Sequence, residues 1–257
     1  MTPRPLRRLR PLAPGVLLAT AGTDCTTSTV LLDGVGGYVL VDPAWHPREL
    51  ADLAADLADL ELTCVAGVAT HEHYDHVLWH PGFGTPDRWA SATTVRRFDN
   101  DRSELLAPAA DFLTPALLEV AGRLRALQSG TLPWLGPTIE VIEHDAHAPG
   151  HLALLSETGV LVAGDMLSDL ELPMPSDDDA TLETYQQGLD RLASALGRAT
   201  WLIPGHGTPT QRPLERLDAD RRYLDAIASG RDSDDPRIGR PGMAELHAAN
   251  LRRAAAL

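Results

Sequence analysis

The segment 70–76, which reads Thr-His-Glu-His-Tyr-Asp-His, places three histidines and two acidic residues in seven consecutive positions. It directly follows residues 63–69, a short apolar run of the kind that forms a buried β-strand. In the extended backbone that leaves a strand, alternate side chains point to the same side, so His71 and His73 can reach one metal ion. The chain must therefore fold so that a strand ends at a metal-binding loop.

The same segment offers a second pair of metal-binding side chains. Asp75 and His76 follow the point where the chain turns, so they face a different position from the first two histidines. Three more candidates lie at predicted strand ends near glycines, which let the backbone turn tightly beside an ion: His147, Asp165 and His206. One set of side chains can thus serve two neighbouring metal positions.

Strand and helix patterns alternate in two successive blocks along the chain. Apolar runs predict strands at 16–20, 27–32, 38–41, 63–69, 138–142, 151–155, 160–163 and 200–203. Apolar residues at helical spacing predict helices at 47–59, 180–197 and 211–229, with more helix after 241. Two such blocks indicate an α/β fold in which two sheets pack together with helices outside. We expect a single domain over residues 1–257, which ends in C-terminal helices at 211–257.

Residues 81–136 differ from the rest of the chain. They open with a Pro-Gly-Phe-Gly loop, and their helical pattern is broken at Pro108 and Pro115. We expect this segment to leave the main fold as a helical insertion, which covers the metal site as a lid and sets the size of the substrate.

The charge composition excludes several classes of function. The 257-residue chain has a net charge of −14, and all 22 of its basic residues are arginines. Without lysine, Schiff-base chemistry and lysine-based anion clamps are excluded. An acidic surface repels phosphate backbones, so we expect no nucleic-acid partner. The two cysteines, Cys25 and Cys64, are too few for a disulfide framework and are expected to be reduced.

The N-terminal segment has features of an export signal, but we interpret it as the beginning of the fold. Arginines at 4, 7, 8 and 10 precede the apolar run 11–21, which Pro11 and Pro14 interrupt. No apolar stretch reaches the roughly eighteen residues that are needed to span a membrane. We therefore expect no membrane partner and a cytoplasmic location.

The seven candidate ligands, in this order along the chain, resemble the metal-binding motifs of the metallo-β-lactamase-fold hydrolases, and the resemblance spans roughly residues 15–210. It implies a four-layer αββα sandwich with a dinuclear metal site at one edge. It also implies that Asp165 bridges the two metals. The remaining ligands would divide into two sets, His71, His73 and His147 for one metal and Asp75, His76 and His206 for the other.

Imidazole and carboxylate ligands at this density suit zinc, although iron and manganese accept the same ligands. Two zinc ions about 3.5–4 Å apart can share a water and lower its pKa to about 7. The resulting bridging hydroxide attacks an electrophilic carbon. Asp75, at the turn of the loop, is placed to orient this hydroxide and to pass its proton to the leaving group. We therefore expect a dinuclear metal-dependent hydrolase.

Four further residues are candidates for supporting or substrate-side roles. His151 is expected to support a metal ligand or to contact the substrate, with simple hydrogen bonding as the alternative. The resemblance implies that Asp42 buttresses the metal loop, with a plain strand-end cap as the alternative. Tyr74 flanks the substrate mouth or is buried beneath the loop, and Trp79 lines an apolar pocket or belongs to the core. The histidines without a partner pattern are expected to be ordinary surface or loop residues: His46, His144 and His247.

Two features narrow the activity within the family. Dinuclear zinc β-lactamases generally lack the bridging aspartate, and some place a cysteine in the second site, whereas this chain has Asp165 and no cysteine in a motif. The sequence is therefore more similar to hydroxyacylglutathione hydrolases and acyl-homoserine lactonases, and an ester, thioester or lactone is the expected substrate. Glutathione thioesters are disfavoured, because the absence of lysine removes part of the glutathione-binding pattern.

Four alternatives remain open at this point. A mononuclear iron persulfide dioxygenase of the same fold uses a reduced ligand set, so the complete second set with His76 and His206 counts against it. A β-lactam hydrolase, a phosphodiester hydrolase and a non-enzymatic binding protein are the others. The sequence carries no signature of the particular substrate or of the oligomeric state.

Overall fold

The computed structural model describes residues 9–22, 24–43, 46–128, 130–175 and 181–255. The strands in these ranges are β1 Arg10–Ala13, β2 Val16–Thr20, β3 Thr27–Leu32, β4 Gly37–Val41, β5 Thr63–Val68, β6 Asp87–Ala90, β7 Arg125–Ala126, β8 Ile139–His144, β9 His151–Ser156, β10 Val160–Val162 and β11 Trp201–Ile203. The helices are α1 Pro47–Asp59, α2 Tyr74–Val77, α3 Ala92–Leu105, α4 Pro115–Val120, α5 Leu182–Arg198, α6 Pro213–Ala228 and α7 Met243–Ala255. The start predicted for α5 at residue 180 lies outside the described residues.

The strands form two sheets in the described part of the chain. The larger sheet follows the sequence order from β1 to β7, antiparallel as far as β4 and parallel from β4 onwards. The smaller sheet has the order β11-β10-β9-β8, in which β10 and β11 are parallel and the other neighbours antiparallel. The hairpin between β3 and β4 is closed by Asp33, whose Oδ1 accepts hydrogen bonds from the N–H groups of Val35 and Gly37 at 2.8 Å each.

Three apolar layers hold the sheets and helices together. Between the sheets, side chains of the larger sheet pack against those of the smaller one, among them Leu18, Val39, Val68, Leu154 and Val162. The helical period of α1 places Leu50, Leu53 and Leu57 on one face, which packs on the outer side of the larger sheet. The leucines of α5 do the same on the smaller sheet, together with α6. The expected αββα sandwich is confirmed.

Residues 81–136 belong in part to the larger sheet. Within this segment β6 pairs with β5, and β7 pairs with β6, both in parallel. The helices of this segment are α3 and α4, and their residues Phe98 and Leu117 are buried in the same apolar layer as α1. The sequence predicts the helical part but not the two strands. Movement of the segment as a lid remains a prediction.

The strand directions determine where a site can form. Because β4 and β5 are parallel, Asp42 and the segment 70–76 leave the larger sheet at the same edge. β8, β10 and β11 also share one direction, since β9 is antiparallel to both β8 and β10. The loops after these three strands carry the other candidate ligands. The N–H of Leu152 donates to the carbonyl of Thr70 at 2.8 Å and joins the two edges.

The chain ends in helices, as the sequence predicts. α6 packs against α5, and α7 packs against α6 and the 3₁₀ turn Pro236–Gly239. No helix in the described ranges combines the length and the apolar character that a membrane span requires.

Candidate metal centre

Three histidines from the two sheets meet at one point. Nε2 of His71 lies 2.9 Å from Nδ1 of His73, and Nε2 of His147 lies 3.2 Å from the same Nδ1. Nitrogen ligands at about 2.0 Å from a tetrahedral zinc ion are about 3.3 Å apart. The three nitrogen atoms therefore have the spacing that suits one metal ion of this size.

A second group forms beside the first. Asp75 and His76 lie in the short helix α2, and His206 follows β11 in the smaller sheet. Oδ2 of Asp75 lies 3.1 Å from Nε2 of His206 and 3.6 Å from Nε2 of His76. All three side chains are buried or nearly so. This group also has the donor atoms and the spacing of a metal site.

Asp165 lies between the two groups and faces both of them. Its Oδ2 is 3.6 Å from Nε2 of His71 and 3.5 Å from Nε2 of His147, both in the first group. The same Oδ2 is 3.5 Å from Nε2 of His206, and Oδ1 is 3.1 Å from Nε2 of His76. The structure thus brings together all the residues that the sequence analysis selected as metal ligands.

The donor set fits a pair of divalent cations. In each group the candidate ligand atoms lie within 4.8 Å of one another. Nε2 of His76 and Oδ1 of Asp165 are buried and face each other at 3.1 Å without hydrogen-bond geometry, which is costly in a folded protein unless another group satisfies them. A side chain at Gly205 would place its Cβ 2.0 Å from Oδ1 of Asp165, so only glycine leaves room for this carboxylate.

The pKa values of the histidines shift in opposite directions in the two groups. Burial lowers the pKa of His147 to about 4 and, with the neighbouring histidines, holds the pKa of His71 well below its ordinary value. These imidazoles are therefore neutral, which is the form that binds metals. Burial also acts on His76, but the carboxylates of Asp165, Asp75 and Asp42 outweigh it and raise its pKa well above the ordinary value. The carboxylates thus attract positive charge to this point.

Asp42 contacts His76 directly and His71 through the Thr70 hydroxyl. The Thr70 hydroxyl donates to Oδ2 of Asp42 at 2.7 Å, so it accepts a hydrogen bond from Nδ1 of His71 at 3.0 Å. Nδ1 of His76 lies 3.0 Å from the same Asp42 oxygen. Both imidazoles are thereby oriented with Nε2 towards the centre. Such supporting contacts fix the tautomer and the direction of metal-binding histidines.

Backbone carbonyls orient the two histidines of the smaller sheet. Nδ1 of His147 donates to the carbonyl of Met174 at 2.8 Å, and Nδ1 of His206 donates to the carbonyl of Asp24 at 3.0 Å. Asp24 has a positive φ of 52°, in a turn that pairs Thr26 with His206. In both histidines Nε2 is again the atom that faces the candidate metal position.

His151 lies beneath the centre and is fully buried. Its Nε2 accepts a hydrogen bond from the backbone N–H of Asp165 at 3.2 Å, and its ring stacks on His71 with centroids 4.9 Å apart. This contact agrees with a role in supporting a candidate ligand rather than in contacting a substrate. His144 stacks on the other face of His151 at 4.7 Å.

Two of the histidines that we expected to be ordinary surface residues are buried instead. His144 is 2% exposed, and burial lowers its pKa to about 4. His247 is 8% exposed and contacts the Tyr223 hydroxyl at 3.1 Å and Asp232 at 2.8 Å. The prediction failed because neither residue lies in a regular apolar pattern that would indicate burial.

The two aromatic candidates have different surroundings. Trp79 is 4% exposed, and its indole N–H donates to the carbonyl of Gly84 at 3.0 Å. It belongs to the core, so the predicted pocket-lining role is not supported. Tyr74 is half-buried at the start of α2, and its ring lies 6.3 Å from that of Phe112 in the segment 81–136.

Sequence reasoning missed the loop after β10. The Ser168 hydroxyl donates to the carbonyl of His206 at 2.7 Å. Burial raises the pKa of Glu171 to about 7. The neighbouring carboxylates of Asp165 and Asp75 also raise this pKa, whereas His206 lowers it. The one signal for this loop in the sequence is the acidic side chain of Glu171, six positions after Asp165.

Comparison with known proteins agrees with this geometry. The family model described as the metallo-beta-lactamase superfamily matches residues 22–222. The chain belongs to this superfamily, and its site is that of a metal-dependent hydrolase.

Several solved structures share the fold. A metallo-beta-lactamase family protein from Thermus thermophilus is 23% identical, with a TM-score of 0.66, over 86% of this chain and 82% of that one. The metallo-beta-lactamase from Pontibacter korlensis is 18% identical, with a TM-score of 0.62, over 84% of this chain and 98% of the other. The DIM-1 metallo-beta-lactamase exposed to ceftazidime is 15% identical, with a TM-score of 0.65, over 85% and 96%. No curated protein sequence matches the chain.

Proposed function

We propose that the protein is a dinuclear, zinc-dependent hydrolase of small esters, thioesters or lactones. The position of Asp165 carries this proposal. Its Oδ2 lies 3.5 Å from both His147 and His206, and these histidines belong to different candidate groups. A carboxylate between two candidate groups can contact an ion in each of them, which supports two metal ions over one.

The two groups would hold one ion each, and Asp165 would contact both. Two divalent ions there would supply a water whose pKa is lowered to about 7 and would polarise the bond to be cleaved. The chain supplies the fixed positions of the ligands. Thr70, Met174 and Asp24 hold the ring orientations of His71, His147 and His206 through hydrogen bonds of 3.0, 2.8 and 3.0 Å.

Asp75 is the proposed proton carrier. Its Oδ2 faces His206 and His76, which leaves Oδ1 to accept a proton and return it to the leaving group. The residue is 8% exposed, so it is shielded from bulk water. Burial acts to raise its pKa, but His76 and His206 outweigh burial and lower it. The carboxylate is thus ionised at neutral pH, which is the form that can accept a proton.

The substrate class follows from the ligand set and the composition. In the described part of the chain neither cysteine joins a candidate metal group. Asp165 stands where β-lactamases of this fold generally have no bridging carboxylate, which supports acyl substrates other than β-lactams. The absence of lysine and the net charge of −14 argue against polyanionic substrates and nucleic acid. The cytoplasmic location stays a prediction.

Elemental analysis of the purified protein tests the metal centre. We expect about two zinc ions per chain for the wild type and about one for His206→Ala. The matched control is His80→Ala, because His80 lies outside both groups and caps a 3₁₀ turn by accepting a hydrogen bond from Gly82 at 3.0 Å. This control is expected to keep both ions.

The same preparations are then assayed on a panel of aryl esters, acyl thioesters, lactones and a chromogenic cephalosporin. Turnover of an ester, thioester or lactone that requires both ions supports the proposal. A single iron per chain with oxygen uptake on persulfides contradicts it, and so does hydrolysis of the cephalosporin alone. Absence of metal from a gently prepared wild type also contradicts it.

A further inference from the structure

The loop of residues 165–175, which we call the bridging loop, supports three of the candidate ligands. It begins with Asp165 itself. The hydroxyl of Ser168 donates to the carbonyl of His206 at 2.7 Å. At the other end, the carbonyl of Met174 accepts the hydrogen bond from Nδ1 of His147 at 2.8 Å. Any displacement of this loop therefore moves ligands of both metal positions.

The bridging loop has no helix or strand to fix its shape in the described residues. It passes through a positive φ of 62° at Leu167, a conformation that is unfavourable for a branched side chain. The Ser168 hydroxyl accepts hydrogen bonds from the N–H groups of Leu170 and Glu171 at 3.0 and 3.1 Å, but three carbonyls of the loop take partners from outside it. Such a conformation persists only when the surrounding structure imposes it.

Those partners are side chains from the C-terminal part of the chain. Nη1 of Arg237 donates to the carbonyl of Ser168 at 3.0 Å and to that of Glu171 at 2.9 Å. Nδ2 of Asn250 donates to the carbonyl of Pro173 at 2.8 Å. Three carbonyls of the bridging loop are thus held by two side chains from outside the stretch 22–222 that matches the family model.

Both side chains are themselves fixed. Arg237 is 6% exposed and pairs with Asp220 at 2.6 Å and with Asp235 at 2.8 Å. Asn250 is fully buried and also donates to the Tyr223 hydroxyl at 3.2 Å. A buried guanidinium that bonds to two carboxylates and two carbonyls is a rigid anchor, because its planar donors leave few alternative arrangements.

We propose that Arg237 and Asn250 are positioning residues of the metal centre, which hold the bridging loop so that Asp165, His147 and His206 keep their metal-binding geometry. This inference rests on the proposed metal site and extends it to the C-terminal segment. Neither residue touches the metals or the substrate. Supporting residues of this kind change metal affinity by about 10–100-fold in known metal sites.

The test compares Asn250→Ala and Arg237→Lys with the matched controls Asn100→Ala and Arg198→Lys. Asn100 is exposed on α3, and Arg198 forms an ion pair with Glu140 on the surface at 2.8 Å. Lysine at 237 retains the charge but not the forked donors, so it is the milder change. Circular dichroism and a cooperative unfolding transition of the metal-free proteins identify the variants that are folded.

Each folded protein is titrated with zinc against a chromophoric chelator and with cobalt followed by visible absorption. We expect the dissociation constant of the more weakly bound zinc to rise at least tenfold in Asn250→Ala and Arg237→Lys, with altered cobalt bands. The controls should match the wild type. A purely structural role would lower the unfolding midpoint without changing the cobalt spectrum.

The possible outcomes separate this inference from the proposed function. Wild-type affinity and cobalt spectrum in either folded variant overturn the positioning role and leave the hydrolase proposal intact. A wild type that binds two metals but cleaves no substrate of the panel contradicts the hydrolase proposal alone. A wild type that binds no metal overturns both.

Discussion

Asp42 accepts two hydrogen bonds from Thr70, one from the backbone N–H at 2.8 Å and one from the hydroxyl at 2.7 Å. This pair joins the end of β4 to the beginning of the metal loop. Asp42 itself has a positive φ of 47°. Asparagine and aspartate tolerate this conformation better than most residues, so it restricts what can replace Asp42.

We expect Asp42→Asn to lower zinc affinity by about 10–100-fold while the protein stays folded. Asparagine keeps the shape and tolerates the backbone conformation, but its amide cannot accept hydrogen bonds at both positions. Chelator competition measures the affinity. Asp87→Asn is the matched control, because Asp87 is an exposed aspartate that pairs with Arg125 at 2.7 Å. Equal affinities in the two variants would show that Asp42 is only a strand-end cap.

Asp75→Asn tests the proton carrier. The substitution preserves the size of the side chain and removes the base, so kcat should fall by about 10²–10⁴-fold while KM changes little. Steady-state kinetics on the best substrate of the panel measure both constants. The metal content of the variant must be determined in parallel, because Asp75 is also a candidate ligand. A kcat close to that of the wild type, with both metals bound, would rule out the proton-transfer role.

The segment 81–136 is expected to influence substrate choice through Phe112, whose ring lies 6.3 Å from that of Tyr74 beside the metal loop. Phe112→Ala should change the relative kcat/KM values across the panel and leave the metal content unchanged. Leu135→Ala is the control within the same segment, because Leu135 is fully exposed. If both variants keep the wild-type preference, the segment does not set substrate size.

Acid stability should depend on His144. Burial lowers its pKa from 6.5 to about 4 in the folded protein, whereas the unfolded chain takes up a proton near the ordinary value. Its neutral, folded form therefore contributes stability above pH 6.5, which is lost as the pH falls towards 4. His144→Asn keeps an acceptor for the N–H of Ala146 and removes this titration.

Urea unfolding of the metal-free proteins at pH 7 and pH 5 measures the effect. The wild type should lose about 2 kcal/mol more unfolding free energy than His144→Asn over this interval. An equal loss in the two proteins would mean that His144 does not remain neutral in the folded state at pH 5.

Regular patterns made most of the fold predictable. The apolar runs of β2 and β3 and the leucine spacing of α1 predict those elements with their observed bounds. β6 was not predicted, because its four residues, Asp87–Ala90, include two charged ones and show no alternation of apolar and polar side chains. It becomes a strand because β5 offers an open parallel edge, which is a tertiary effect.

The candidate ligands were predictable because histidine and aspartate beside strand ends have a recognisable spacing. The groups that orient these ligands were only partly predictable. Asp42 was found through the family resemblance, and Thr70 directly precedes His71. The carbonyls of Met174 and Asp24 could not be found, because a backbone carbonyl has the same chemistry at every position. Arg237 lies far from the ligand motifs in the sequence, and its role depends on how the C-terminal segment packs.

The shared carboxylate of Asp165 also has a thermodynamic consequence. Its two oxygens face both groups, with Oδ1 3.1 Å from His76 and Oδ2 3.5 Å from His147. In the proposed two-metal site, an ion in one position would therefore change the charge and the orientation of a ligand in the other. By linkage, the factor by which the first ion changes the affinity for the second equals the factor by which the second changes the affinity for the first. The two positions would fill as one coupled equilibrium, so the fraction of fully loaded protein would depend on the free metal concentration through that coupling free energy.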